Sequence, residues 1–454
     1  MGVLERLYFK APVALQHLGL TTACWRVRRR RYGPPFTTRA REYTDRESWD
    51  GERIHELRQA RLTETLRLAA LTPHYRNLFH ALGADWRDLT EPSAFAQLPP
   101  TLKTDVQQHP EAFRPRPATK TDSSIRTSGT TGSSVEIFKS ANAIAEQWAV
   151  WWRYRGWHGL DRSTPLALFA GRRVIPEQAR APYWRADLLT DEVRYSSYHL
   201  SDATVHAYVA ELRRRKAPWI HGFASAVNHL AILMNRAGLS LDFPLTAITL
   251  GGENVSAWHR TNIRSAFGIA PVQHYGLAEG VANISECDLG ELHVDEDFAY
   301  VEFVPRPSSG LMQILGTNFG NDGMVLLRYA TNDIASPDAP PCGCGRWGRT
   351  VVSLDGRADD SIVLPDGRMV GTLEDAFRDI AGIAEAQITQ ASNGALQVRY
   401  IKASAARHEV ERHIEQNMRR FVGHEIAISV TPVATIPRTS AGKTRLVVSE
   451  LAGR

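Results

Sequence analysis

The run RTSGTTGSS, Arg126 to Ser134, is crowded with glycine and hydroxyl side chains and contains no lysine. Its glycines allow close approach of the backbone to a ligand, and successive N–H groups in such a loop can converge on an anion. Ser128, Thr130 and Thr131 add hydroxyl donors suited to phosphate oxygens. The usual phosphate loop, G-x-x-x-x-G-K-[ST], ends in a lysine that reaches the terminal phosphates. Any phosphate held here must therefore meet its positive charge elsewhere in the chain. A flexible polar loop has the same composition.

The cysteines form a second group. There are four. Cys342 and Cys344 make a CGC run, while Cys287 and His293 lie in ECDLGELH. Three thiolate sulfurs and one imidazole complete a tetrahedral set suited to structural Zn2+. Buried free thiols beside a hydrogen-bonded histidine are the plainer alternative. Cys24 is left over, and nothing in the arrangement suggests disulfides or a cysteine nucleophile.

These groups must be positioned by a large framework. From Trp49 to Leu98 apolar residues recur at helical spacing (Ile54, Leu57, Leu62, Leu66), which predicts a helical layer. From Ser123 to about Ala330, PLALFAG, APWIHGF and LTAITLGGE each read as a buried strand ending in a glycine-containing turn. Strands alternating with helical stretches predict an α/β sheet with ligands at the carboxyl ends of its strands. Beyond Asp355, EAQITQA, LQVRYI and IAISVTP surround one helix over 407–421, and the texture is that of a small α+β domain. The fold class is thus α/β: a large N-terminal domain over 1–355, mainly helical over 1–100, and a smaller domain over 356–454.

Composition narrows the function. The chain has 454 residues, 43% hydrophobic and 23% charged, with a formal net charge of +5. That excess suits a phosphate-bearing ligand and is too small to argue for nucleic acid, and no nucleic-acid motif accompanies it. The N-terminal stretch is too interrupted to span a membrane, and its basic cluster follows the apolar part, unlike a secretory signal. Arg28, Arg29, Arg30 and Arg31 read as a solvated basic turn between helices, or as a peripheral membrane contact. A cytoplasmic location is expected.

Read in order, further motifs follow the hydroxyl-rich loop. Gly251-Gly252-Glu253 closes a strand, HYGLAE carries His274, Tyr275, Gly276 and Glu279, and RYATND carries Asp333. GRADD brings Gly356, Arg357 and Asp359, and PRTSAGKTR holds Lys443. This ordered set, from about Trp49 to the end, resembles the adenylate-forming superfamily. It is most similar to the phenylacetate–CoA ligase branch with its CapK-like members. The resemblance implies an ATP- and Mg2+-dependent ligase that activates a carboxylic acid as an acyl-adenylate. It also implies that the smaller domain is mobile, with Asp359 at its hinge. Thr127, Ser128, Gly129, Thr130, Thr131 and Gly132 would hold ATP phosphates, with Gly252, Glu253, His274 and Gly276 near the nucleotide. Tyr275 would lie against adenine, Asp333 with Arg357 would hold the ribose, and Glu279 would bind Mg2+. Lys443, together with Glu279 and Thr131, would serve catalysis by meeting charge that develops on the α-phosphate.

The same resemblance places the acyl pocket near Phe169, Ala170, Gly171, His221, Gly222, Phe223 and Gly251. Trp148, Trp151 and Trp152 read either as its neighbours or as core packing, and Arg172 and Arg173 as anion receivers or a solvated pair. Where many relatives have Lys-Pro after the loop, this chain has Ser133-Ser134. The run after GRADD is IVLPDGRMVGTLEDAF, more like CapK-type members. Transfer of the acyl group to CoA has the family precedent, while transfer to an amine suits these departures and the extra N-terminal segment. The other readings are a nucleotidyl transferase that stops at the adenylate, as in coenzyme F390 synthetases, and a non-catalytic scaffold of polysaccharide assembly.

Overall fold

The computed structural model describes residues 3–126, 135–171, 173–176, 178–306, 312–337, 339–357, 362–366, 369–370, 373–377, 380, 383–402, 409–438 and 444–451. A nine-stranded sheet forms the centre of the large domain. Five strands in its middle are parallel, in the spatial order Glu192–Tyr195, Leu166–Phe169, Trp219–Gly222, Ala247–Gly251 and Val272–Gly276. Three of them are the runs expected from sequence. Their apolar residues fill a core with the helices Val205–Arg215, Ala224–Ala237 and Ala257–Phe267 on one face. The other face receives the helix Ala141–Trp157, capped by Ser140, whose side chain accepts from the Ala143 N–H.

Beyond Val272–Gly276 the sheet continues antiparallel through Asn283–Glu286, Leu292–Val294 and Thr350–Val351. A separate antiparallel sheet runs Ala299–Pro305, Met312–Asn318, Tyr329–Ser336 and Ser353–Arg357. Helices Gly51–Ala69 and Pro73–Leu82 pack on this side through Leu62, Leu66, Tyr75 and Phe79. Helices Val3–Lys10, Val13–Arg31 and Pro34–Asp45 precede them.

The basic cluster differs from the turn expected for it. Arg28 to Arg31 form the last turn of the nineteen-residue helix Val13–Arg31, where cations favour the negative end of the dipole. Arg28 is ion-paired with Asp187, and the Arg31 guanidinium lies 3.9 Å from the centre of the Trp148 ring. Arg29 and Arg30 are exposed. No helix among the described residues is long and apolar enough to cross a membrane.

Residues from Ile362 to Val447 gather their own apolar cluster. Ile383–Gln390 and Leu396–Lys402 pair antiparallel, and Val447–Ser449 and Ile428–Pro432 join them in parallel on either side. Helix Val410–Val422 buries Val410, Ile414, Met418 and Val422 against them, the one-sided pattern of an amphipathic helix. This is an α/β protein with a large domain and a small α+β domain.

Candidate active site

Two strands from different sheets meet where the nucleotide residues were expected. The Tyr275 hydroxyl, at the end of Val272–Gly276, donates to Asp333 Oδ2 at 2.6 Å. Asp333 is 7% exposed and pairs across the antiparallel ladder with Arg357, so the two backbones are opposed. The fold therefore joins residues 58 to 82 positions apart in sequence into one wall. Gly276 beside Tyr275 is demanded by close approach, since a Cβ there would come within 2.8 Å of Asn283 Oδ1.

Glu279 follows in the same turn and is 8% exposed. Tyr329 Oη donates to its Oε1 at 3.4 Å. Behind it lies Lys139, on the strand that leaves the hydroxyl-rich run. Lys139 is buried; its ammonium donates to Gln147 Oε1, and Gln147 Nε2 donates to the Leu277 carbonyl at 3.1 Å. Burial pushes the Lys139 pKa down to about 8, against the nearby Glu279 carboxylate, which raises it. Sequence reading missed this cation. VEIFK looks like a strand ending in a solvated lysine, and only the tertiary contact with the Glu279 turn reveals otherwise.

The face of the sheet beneath Ala141–Trp157 holds the histidines. His221 and His274 lie on strands of the same parallel set, with ring centroids 6.5 Å apart. Trp151 and Tyr154 of the helix approach His274 at 5.2 and 5.3 Å. His221 Nδ1 lies 2.8 Å from Thr249 Oγ1. Burial, reinforced by the Arg155 charge, pushes the His221 pKa down to about 3 and that of His274 well below its ordinary value. Both imidazoles are neutral, so they serve as hydrogen-bonding or packing surfaces and not as cations. Gly251 makes room for one of them, because a Cβ there would lie 2.8 Å from His274 Cε1.

Other expected residues fall elsewhere. Phe169 is fully buried and stacks on Tyr195 at 4.8 Å, so it is a core residue and not part of a pocket. Gly222 answers a packing need, since its Cβ would meet the Phe169 carbonyl at 2.4 Å. The Gly171 carbonyl accepts from Tyr198 Oη at 2.7 Å, with Arg173 over the Tyr198 ring. Phe223, half-buried, packs on the same core as Phe169. Glu253 Oε2 accepts from the Ser225 N–H at the start of Ala224–Ala237, and Gly252 has φ +78. Thr127, Ser128, Gly129, Thr130, Thr131, Gly132, Arg172, Asp359 and Lys443 lie outside the described residues, as does the Arg357 side chain. The flanks of Lys443 are described. Arg438 is 3.7 Å from Glu385 and 5.8 Å from the Tyr198 ring, and Thr444 Oγ1 donates to Glu385 Oε1 at 2.5 Å. The segment that carries the lysine thus begins and ends at one carboxylate, next to Tyr198 of the large domain.

Cys287, His293, Cys342 and Cys344 come together, with all four ligand atoms within 4.8 Å of one another. Cys287 Sγ and Cys342 Sγ are 3.8 Å apart, and Cys344 Sγ is 3.4 Å from His293 Nε2. A tetrahedron with Zn–S of about 2.3 Å and Zn–N of about 2.0 Å has edges of about 3.8 Å for S–S and 3.5 Å for S–N. The donor set and its spacing fit that ion. Two of the donors flank the turn between Asn283–Glu286 and Leu292–Val294, and two sit in the connection from the Asp333 strand to Thr350–Val351.

The parallel sheet, the wall formed by Tyr275 and Asp333 and the appended α+β domain make up a fold that recurs in solved ligases. Residues 362–450 match the model of the CapK C-terminal domain. The chain is 20% identical over 361 residues to Protein CapK of Staphylococcus aureus, covering 78% of this chain and 80% of that one. It is 22% identical over 444 residues to phenylacetate-coenzyme A ligase of Thermus thermophilus, covering 87% and 96%. Its fold matches the crystal structure of 2-hydroxyisobutyryl-CoA ligase in complex with 2-HIB-AMP. That match has a TM-score of 0.67 at 16% identity and covers 89% of this chain and 91% of that one. Over most of its length the chain is thus similar to proteins of the phenylacetate–CoA ligase and CapK-like branch.

Proposed function

We propose that this protein is an AMP-forming ligase that activates a carboxylic acid with ATP and passes the acyl group to CoA or to an amine. The observation that carries the reading is the 2.6 Å hydrogen bond from Tyr275 to Asp333, with Glu279 in the same turn. It supports an adenosine subsite built of an aromatic face and a carboxylate able to accept from ribose hydroxyls. In the first step a carboxylate oxygen attacks the α-phosphorus and pyrophosphate leaves. In the second, a thiol or amine attacks the acyl carbon and AMP leaves.

The roles of the side chains follow from charge. Thr127 to Gly132 supply backbone N–H groups and hydroxyls to the phosphates. Glu279 would hold Mg2+, which would supply positive charge to the phosphates. Lys139 sets positive charge on the protein side of Glu279. Lys443 stabilises nonbridging oxygens during attack, which requires the domain over 356–454 to move about Asp359 and close on the loop. His274, Gly252 and Gly276 shape the nucleotide side, and Arg357 assists Asp333. Cys287, His293, Cys342 and Cys344 hold Zn2+ as a structural clasp, tying the edge of the large sheet to the connection that follows the Asp333 strand. CoA is favoured as acceptor by the phenylacetate-coenzyme A ligase relative. The N-terminal Arg29 and Arg30 remain exposed for a peripheral membrane contact.

Pyrophosphate release across a panel of carboxylic acids tests the reading, with Lys443→Ala beside the wild type. Release that depends on both the acid and Lys443 is expected. No release with any acid, or equal release by the variant, contradicts it.

A further inference from the structure

Arg155 is 5% exposed, on the side of Ala141–Trp157 that faces the sheet. Its guanidinium carbon lies 4.8 Å from the Trp152 ring, 5.2 Å from Trp219 and 5.5 Å from Trp148. Among the interior arginines, Arg185 is bound by Gln16 Oε1 and two backbone carbonyls, and Arg153 and Arg328 each meet a carboxylate at 3.0 Å or less. Arg155 meets none among the described residues. The carboxylate that favours its charge is Glu192, which is already bound to Arg194 at 2.7 Å. Indole faces offset part of the cost of burying a cation but do not neutralise it. Arg31 stands against Trp148 as well, adding to the positive field.

A second observation points to a ligand in the same place. Trp151, His221 and His274 are half-buried although they lie between a helix and a sheet, where neighbouring residues on the opposite face of the sheet are buried. His274 Nδ1 is buried there without a hydrogen-bond partner. These residues lead from the carboxyl ends of the strands toward Trp219, at the amino end of its strand, where Arg155 sits. Three residues of strand span about 10 Å, the reach of a chain of about six to eight carbon atoms.

We propose that Arg155 is a specificity-determining residue that binds a second carboxylate at the far end of the substrate. The substrates are then dicarboxylic acids with an apolar or aromatic spacer. The spacer runs past His221, His274 and Trp151, and its far carboxylate completes the ion pair that Arg155 lacks within the protein. This inference rests on the ligase reading above.

Three matched pairs test it by pyrophosphate release: adipate with hexanoate, suberate with octanoate, and 4-carboxyphenylacetate with phenylacetate. In at least one pair kcat/KM is expected to favour the dicarboxylate by about 100-fold, as a site built for a polar group rejects the analogue lacking it. Arg155→Met is expected to bring that ratio near one, while Arg155→Lys keeps part of it; melting curves of both variants report folding. Release with monocarboxylates at equal or higher kcat/KM in all pairs overturns the inference and leaves the ligase reading standing. An unchanged ratio in a folded Arg155→Met variant also overturns it. No release with any acid overturns the ligase reading itself, and the inference with it.

Discussion

Arg153 and Arg155 stand two residues apart on one helix, both 5% exposed, and are solved in opposite ways. Arg153 turns toward the antiparallel edge of the sheet and donates to Asp297 at 2.9 and 3.0 Å and to Asp295 at 2.6 Å. Arg155 turns toward the parallel strands, lies against indole rings and meets no carboxylate among the described residues. A buried charge that is fully paired holds the framework. One without a counter-ion is a vacancy in the electrostatics that a ligand can fill, and the two faces of the helix divide structure from chemistry on that basis.

The contrast breaks most visibly in stability. Arg153→Met leaves buried Asp295 without its cation and Asp297 with Arg46 alone, and is expected to cost about 3–5 kcal/mol in denaturant unfolding. Arg155→Met removes an uncompensated charge and is expected to stay within about 1 kcal/mol of wild type. Equal losses would mean that Arg155 is structural after all. On the nucleotide side, Asp333→Ala is expected to lower kcat/KM for ATP about 100-fold, and Tyr275→Phe about tenfold. A variant that leaves ATP dependence unchanged would remove the adenosine subsite from the account.

The legible parts of the molecule were those that residue type alone announces. Runs of apolar residues ending in glycine located three of the five parallel strands, and three thiols with one imidazole located the Cys/His cluster. Tyr275 and Asp333 could be named from their motifs, although their 2.6 Å contact depends on two sheets meeting. Lys139 and Arg155 were not legible, because VEIFK and WWRYRGW carry their cations among residues equally at home on a surface. Their burial comes from the Glu279 turn in one case and from Trp219 in the other. The helix end at Arg31 was misread as a turn because the stop signals, Gly33 and Pro34, follow the cluster closely and its start at Pro12 offers no side-chain cap.

Two smaller effects sharpen the comparison between paired and unpaired groups. Metal analysis of freshly purified protein is expected to show about one zinc per chain, and Cys287→Ser less than about half of that, because a closed structural site is nearly fully occupied. Full folding with no bound metal would make the cluster a set of free thiols. The smallest effect is a slope. The folded pKa of Lys139, about 8, lies below the ordinary lysine range, so the unfolded chain binds more protons between those values. Stability is expected to rise with pH across that window in wild type relative to Lys139→Met, measured by urea midpoints between about pH 7.5 and 10. A parallel pH response in both proteins would show that Lys139 is not held against its charge.

The central claim is that a carboxylate oxygen attacks the α-phosphorus of ATP. Supplying the best acid of the panel with both carboxylate oxygens labelled as 18O, together with the acceptor, tests it in one mass spectrum. One 18O atom in each AMP released is the expected result; 18O appearing in inorganic phosphate, or AMP without label, would contradict the account.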